Sequence, residues 1–207
     1  MEKSYKHIQQ TGIFALPLST YKLNRKFTKK ELDFVEKTKK KTVRNCFNDG
    51  SSDTYILENK ALSGLKSFAQ DCLNHYLLNI YNPLHPVEIY VTQSWLNYTR
   101  KGESHHSHKH NNSIVSGVLY IKTDKEDQII FENDNYELID IMPKQYNSYN
   151  STTWFFNVNE YECVLFPSKL RHQTNLKHND STRISLAFNS FIKGVIGTTE
   201  RLTEIKI

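Results

Sequence analysis

The chain has 207 residues and a mass of 24.3 kDa, enough for one domain with a substantial buried core, and its formal net charge is +5. Its 12 Tyr, 11 Phe and seven Gly argue against a disordered protein. It has neither an apolar N-terminal region nor a run of 18 apolar residues, and its three cysteines are scattered, so we expect a cytoplasmic protein with no membrane contact.

The first predicted helix begins after Thr28. Thr28 and Glu31 have the spacing of a capping box, in which each side chain accepts a hydrogen bond from the other residue's backbone N–H. Phe27 and Leu32 can pack together across this turn as a hydrophobic staple. Lysines at positions 37 and 39–41 follow near its end, where cations interact favourably with the helix dipole.

This region also concentrates the positive charge. From Lys22 to Arg44 there are ten Lys or Arg against three Asp or Glu, a local charge of +7. Two interpretations remain open. The lysines form a solvated helix face, or they steer a polyanion such as nucleic acid toward a nearby site.

Residues 48–52 have the composition of a loop. A second helix is predicted from about Lys60 to Ile80, because apolar residues recur there at three- and four-residue spacing. Its apolar stripe should pack against a sheet.

From Val87 the pattern changes to short strands separated by turns. The predicted strands cover residues 87–98, 113–122, 128–132, 136–141, 153–158, 161–166 and 182–191. Strands in this order after two helices predict a double-stranded β-helix, a cupin-like jelly roll, backed by the helices. We therefore expect one domain, with a helical part at about 1–86, a β-helix core at about 87–191 and a tail at 192–207 that adds an edge strand or mediates self-association.

Four of the nine histidines lie within six residues, at positions 105, 106, 108 and 110. In a strand, residues i and i+2 point to the same face, so His108 and His110 can converge on one cation. His106 and His108 form an overlapping pair that spacing alone does not exclude, and a surface tract that binds stray metals is a further alternative. Imidazole suits Fe, Zn, Cu and Ni, and His172, after a strand-like apolar run, is the best candidate for a third ligand.

Another strand, RISLAFN, opens with Arg183, which shares one face with Ser185 and Ala187. A buried arginine needs an anion to satisfy it. The strand therefore predicts an anion-binding position near the histidines. Gly117, in the middle of another predicted strand, indicates either a β-bulge or a close approach of the backbone, here to a bound co-substrate.

Three blocks together resemble the iron(II)- and 2-oxoglutarate-dependent dioxygenases. They are TQSWLNYTRKGESHHSHKHNNSIVSGVLYI (92–121), LFPSKLRH (165–172) and RISLAFN (183–189). More narrowly, the chain is similar to a poorly characterised subfamily of tailed phages and marine bacteria, in which a His-x-His pair precedes Ser-Gly-Val-x-Tyr.

The resemblance implies roles for particular residues. It implies that His108, His110 and His172 bind Fe(II), that Arg183 and Ser185 bind the distal carboxylate of 2-oxoglutarate, and that Tyr98 and Tyr120 hydrogen-bond the co-substrate. The wider superfamily uses two histidines and one carboxylate, whereas here histidine stands in the carboxylate position.

The activity implied is an oxidation, usually a hydroxylation, that converts 2-oxoglutarate and O2 to succinate and CO2. The substrate is a protein, a nucleic acid or a metabolite, the chain can form a homo-oligomer, and the location is the host cytoplasm if a phage encodes it. Two alternatives use the same fold. One is a three-His metal dioxygenase of cupin type that needs no 2-oxoglutarate, and the other is a non-catalytic structural or binding module of a phage.

Overall fold

Antiparallel strands dominate the computed structural model, which describes residues 8–9, 11–133 and 141–207. The strands are β1 (Ser19–Lys22), β2 (Thr42–Asn45), β3 (Asn48–Ser51), β4 (Val87–Thr99), β5 (Val115–Lys122), β6 (Gln128–Glu132), β7 (Thr153–Asn157), β8 (Glu162–Pro167), β9 (His172–Thr174), β10 (Arg183–Ile196) and β11 (Ile205–Lys206). The α-helices are α1 (Lys29–Thr38) and α2 (Ser63–Tyr76), the latter extended by a π-helical turn, Leu77–Tyr81, and preceded by two single 3-10 turns, Ile56–Glu58 and Lys60–Leu62.

The strands form two sheets. The major sheet has the order β1-β8-β5-β10-β4-β3-β2, with β11 pairing on β10, and the minor sheet has the order β7-β6-β9. All of these pairs are antiparallel. The two sheets form the double-stranded β-helix that the strand pattern predicts.

Both predicted helices are present, and α1 begins as its sequence indicates. The Glu31 N–H donates to Thr28 Oγ1 (3.2 Å), and the Thr28 N–H donates to Glu31 Oε2 (2.8 Å), which completes the capping box. Arg25 donates to both carboxylate oxygens of Glu31. The bidentate pair fixes the segment that leads into the helix.

Apolar side chains pack in two clusters, one on each face of the major sheet. The first lies between this sheet and the helices and includes Leu73 of α2 and Leu96 of β4. The second, smaller cluster lies between the two sheets and includes Ile129, Phe131 and Phe166. The helices therefore cover one face of the major sheet and leave the other for the minor sheet and a cavity.

The structure differs from the sequence prediction in the first 86 residues. Residues 48–51, predicted as a loop, form β3, which is largely buried because it pairs with β2 on one side and β4 on the other. This part of the chain thus contributes three strands to the major sheet as well as the helices. The strand predicted at 136–141 lies, except for its last residue, outside the described residues. In the tail, β10 continues to Ile196 and β11 pairs back on it.

Candidate metal centre

Main-chain pairing brings the distant histidines together. The His108 N–H donates to the His172 carbonyl (3.0 Å), and the His172 N–H donates to the His108 carbonyl (2.9 Å). The His110 N–H donates to Ser168 O (3.0 Å), so the alternation of side chains leaves His108 and His110 on one face. β9, which begins at His172, is held in turn by β6.

The three imidazoles converge. The ring centroid of His108 lies 4.3 Å from that of His172 and 4.8 Å from that of His110, and the rings of His110 and His172 are 5.2 Å apart. One potential ligand atom from each residue lies within 4.8 Å of the other two. The group can therefore hold a metal ion.

Hydrogen bonds fix the tautomer of two of these rings. His108 Nδ1 lies 2.8 Å from the His106 carbonyl, and His172 Nδ1 lies 3.0 Å from the Leu170 carbonyl. A carbonyl oxygen can only accept, so each Nδ1 carries the proton and each Nε2 keeps its lone pair. Metal-binding histidines are usually held in this way, with one ring nitrogen donating to a carbonyl oxygen and the other free to bind the metal.

The electrostatics keep the imidazoles neutral. Burial, together with the positive charge that neighbouring histidines would carry, lowers the pKa of His110 to about 4 and that of His172 to about 3. Burial also lowers the pKa of His108. At neutral pH these side chains are therefore ligands rather than cations.

A second group of histidines overlaps the first. His105, His106 and His108 also bring potential ligand atoms within 4.8 Å of one another, and the rings of His105 and His106 stack with centroids 5.0 Å apart. His172, however, groups with the pair 108/110 and not with 106/108. The geometry thus favours the first pair.

Buried polar atoms without a hydrogen-bond partner concentrate around this cluster. Among the side-chain atoms of the described residues there are four: Asn48 Oδ1, Asn97 Oδ1, His106 Nδ1 and Ser107 Oγ. Asn48 contacts the ring of His105 (3.0 Å), and Asn97 lines the same cavity as the three converging histidines. Since buried polar atoms are normally paired, their concentration here fits a site that receives a polar ligand or metal ion.

Arg183 lies in this cavity, but the anion that it contacts is a carboxylate of the protein itself, that of Asp127. Its Nη1 donates to Asp127 Oδ1 (2.9 Å) and to Asn175 Oδ1 (3.1 Å), and its Nη2 donates to Thr174 Oγ1 (2.6 Å) and to the Asn175 carbonyl (3.4 Å). The arginine therefore does not require a bound ligand in order to be satisfied. Asp127 was missed in the sequence because it lies in a charged turn, TDKEDQ, that is typical of a solvated surface.

Ser185 and Tyr120 are neighbours across β10 and β5, and Asn97 pairs with Ser185 from the other side, on β4. All three line the cavity, which has a volume of about 40 Å³. Tyr120 is buried, which raises the pKa of its hydroxyl. Together they form a row of polar residues across three strands, two residues along β10 from Arg183.

The structure does not bring Tyr98 to this cavity. Its side chain is on the opposite face of β4, where its hydroxyl donates to the Val35 carbonyl of α1 (2.7 Å) in the core beneath the helices. Asn97, one residue earlier, points to the cavity instead. The sequence missed Asn97 because both faces of this strand mix polar and apolar residues.

Gly117 lines the same cavity, as expected for an approach to a co-substrate, and it is also closely approached by protein side chains. A Cβ atom at this position would lie 2.2 Å from Phe188 Cζ and 2.6 Å from Leu165 Cδ2. The glycine is therefore required by packing.

The basic segment is partly neutralised by internal carboxylates. Arg25 pairs with Glu31, Lys29 with Asp33, and Arg44 with both Asp49 and Glu103. Glu103 opens the histidine-rich segment, so Arg44 connects β2 to it. No helix in the described ranges is both long and apolar enough to cross a bilayer.

Comparisons with known proteins match the central part of the chain to one family. Residues 93–189 match the profile of the family described as "Putative 2OG-Fe(II) oxygenase", and no curated protein matches. This segment contains all three histidines, Arg183, Ser185 and Tyr120.

Solved structures share the fold at low identity. HygX from Streptomyces hygroscopicus, with nickel, 2-oxoglutarate and hygromycin B bound, is 13% identical over 84% of this chain and 82% of its own, with a TM-score of 0.57. The α-ketoglutarate-dependent carbocyclase SnoK from nogalamycin biosynthesis is 8% identical over 84% and 79%, with a TM-score of 0.59. An oxygenase-family oxidoreductase from Burkholderia pseudomallei is 9% identical over 77% and 75%, with a TM-score of 0.52. Residues 93–189, slightly less than half of the chain, therefore match the 2OG-Fe(II) oxygenase family, which is a family of oxidoreductases.

Proposed function

We propose that this protein binds Fe(II) through His108, His110 and His172 and uses 2-oxoglutarate and O2 to oxidise a substrate C–H bond, with succinate and CO2 as co-products. The observation that carries the proposal is the convergence of three neutral imidazoles, two of them held with Nε2 available. Bound iron would supply the activation of O2 and the oxidative decarboxylation of the co-substrate. Hydroxylation is the outcome we propose for the substrate.

The remaining residues of the cavity would position the co-substrate. Arg183 places a fixed positive charge at one end, and the hydroxyls of Ser185 and Tyr120 can donate to a carboxylate there. Asn97 replaces Tyr98 in this proposal, because its amide lies in the cavity and its Oδ1 has no partner. Apolar neighbours such as Ile129 and Phe188 exclude water from the same space.

Candidate substrates fall into two classes. Hygromycin B is bound in one of the similar structures, so small organic molecules are the first class to screen. Peptides and single-stranded nucleic acid form the second class, the latter because of the basic segment from Lys22 to Arg44.

The test is an anaerobic titration of the metal-free protein with Fe(II) and then with 2-oxoglutarate, in which the visible metal-to-ligand charge-transfer band is followed. We expect the band in the wild-type protein and its loss in His172→Ala. His178→Ala is the matched control, because it makes the same change at an exposed loop position. A band of undiminished intensity in His172→Ala would overturn the assignment of that ligand.

One observation favours a second function. The terminal N–H groups of Arg183 already have acceptors in the chain, and a three-His site carries less negative charge than the usual triad. Both fit a metal dioxygenase that does not use 2-oxoglutarate. In the same titration, such a protein would bind Fe(II) without developing the band.

A further inference from the structure

Three charged side chains form a buried network behind the cavity. Asp127 Oδ1 accepts from Arg183 Nη1 at 2.9 Å, and Asp127 Oδ2 lies 3.3 Å from Lys177 Nζ. Their side chains are 2%, 3% and 1% exposed for Asp127, Arg183 and Lys177, respectively, so water screens these charges little. Lys177 Nζ also donates to Asp124 Oδ2 at 2.6 Å, at the edge of the network.

Asp127 is itself held firmly by the turn between β5 and β6. Its Oδ2 accepts from the Asp124 N–H (2.8 Å), its own N–H donates to the Asp124 carbonyl (3.0 Å), and its carbonyl accepts from the Val158 N–H (3.1 Å). Both its backbone and its carboxylate are therefore fixed. A fixed carboxylate can orient the flexible arginine that it contacts.

The remaining contacts of Arg183 come from one short segment. Thr174 Oγ1 and the side-chain and main-chain oxygens of Asn175 accept its other terminal hydrogens. Thr174 belongs to β9, the strand that begins with His172. Asp127 is the charged member of this acceptor set, and it comes from a different part of the chain.

Two possible roles of Asp127 predict opposite effects of its removal on the binding of a dicarboxylate: one role depends on its charge and the other on the position in which it holds Arg183. The three fully buried groups sum to +1, or to zero when the partly exposed Asp124 that pairs with Lys177 is included. Removal of the Asp127 carboxylate would raise either sum by one and, on charge alone, attract a dicarboxylate more strongly. If the carboxylate instead orients the guanidinium, its removal would weaken binding, because the arginine could turn away from the cavity. A displacement of about 1 Å in a positioning group can cost about a hundredfold in rate.

We propose that Asp127 is a positioning residue for 2-oxoglutarate: it holds the Arg183 guanidinium at the end of the cavity, and Lys177 balances its charge so that Arg183 still attracts a carboxylate. This inference rests on the proposed function. It assigns to the β5–β6 turn a share in co-substrate affinity, although the turn contributes no group to the cavity lining.

The experiment compares the wild-type protein with Asp127→Asn, Asp127→Glu and the double variant Asp127→Asn with Lys177→Met. Asp127→Glu keeps the charge but moves the carboxylate by one methylene, and the double variant restores the net charge of +1 without the carboxylate. Asp180→Asn is the control, since Asp180 is an exposed residue paired with Lys101 at the surface. Anaerobic Fe(II) affinity, 2-oxoglutarate affinity from the charge-transfer band and the melting temperature are measured for each.

We expect all three Asp127 variants to bind 2-oxoglutarate about tenfold or more weakly, with Fe(II) affinity within about threefold of the wild-type value. Tighter binding by Asp127→Asn, or wild-type binding by Asp127→Glu or by the double variant, would overturn the positioning role. Fe(II) affinity that falls in parallel with 2-oxoglutarate affinity would show a purely structural role and would also overturn it. If Asp127→Asn does not fold, the other two variants decide, because neither leaves Lys177 and Arg183 as two buried charges of the same sign. A wild-type protein that binds Fe(II) but not 2-oxoglutarate contradicts the proposed function itself.

Discussion

Tyr98 and Tyr120 are buried tyrosines on opposite faces of one sheet. Removal of the Tyr98 hydroxyl should lower stability, whereas removal of the Tyr120 hydroxyl should lower co-substrate affinity. Tyr98→Phe deletes the hydrogen bond to the Val35 carbonyl, so we expect a loss of about 1 kcal/mol in the free energy of unfolding and an unchanged 2-oxoglutarate affinity. Tyr120→Phe is expected to weaken 2-oxoglutarate binding severalfold, because Tyr120 lines the cavity and the variant lacks the hydroxyl that is proposed to donate to the co-substrate. Denaturant unfolding and the anaerobic titration measure the two effects. Equal losses of affinity in both variants would contradict the difference between the two faces.

A single added methyl group at Gly117 tests the packing between β5 and β10. Gly117→Ala would place Cβ against Phe188 and Leu165, and we expect a destabilisation of about 1–3 kcal/mol. Phe188→Leu in the same chain removes the nearer ring and should recover part of this loss. Thermal unfolding of the single and double variants provides the measurement, and additive losses would contradict the predicted contact.

At the scale of elements, the start of α1 depends on one hydroxyl. Thr28→Ala removes the side-chain acceptor for the Glu31 N–H, so we expect a loss of about 1 kcal/mol in the free energy of unfolding. Thr28→Ser keeps the hydroxyl and serves as the control. Since α1 contributes no residue to the lining of the cavity that holds the histidines, Fe(II) affinity should not change in either variant. A destabilisation by serine as large as that by alanine would indicate that the methyl group, and not the cap, carries the effect.

Across the whole molecule, the neutral histidines make the metal-free protein sensitive to acid. The pKa values of His105, His110 and His172 are lowered to about 2, 4 and 3, so between these values and about 6.5 the unfolded chain binds more protons than the folded chain. This contribution to stability is therefore complete above pH 6.5 and is lost as the pH falls, with a slope of about 1.4 kcal/mol per pH unit for each histidine. Melting temperatures of the metal-free protein from pH 7.5 to 4.5 test this. His105→Ala should flatten the profile, whereas a profile without slope below pH 6.5 would contradict it.

The sequence predicts the architecture better than it predicts the contacts within the site. Period-two strands, the capping box at Thr28 and the order of the three blocks lead to the β-helix and to the convergence of His108, His110 and His172. Alternation alone does not tell which face of β4 meets the cavity, because both faces of this strand mix polar and apolar residues. The ion pair between Arg183 and Asp127 could not be predicted either, because the sequence of a charged turn does not show which of its aspartates is buried.

The reciprocal hydrogen bonds between His108 and His172 make the metal centre part of the strand pairing. Three amide hydrogens, those of His108, His110 and His172, are donated across the seam that joins the histidine-rich segment to the chain around 168–172. His108 and His110 cannot move away from His172 unless the main-chain hydrogen bonds between the two segments break. On warming, deuterium uptake at these three amides should therefore rise together, and the affinity for the ion should vanish in the same cooperative step.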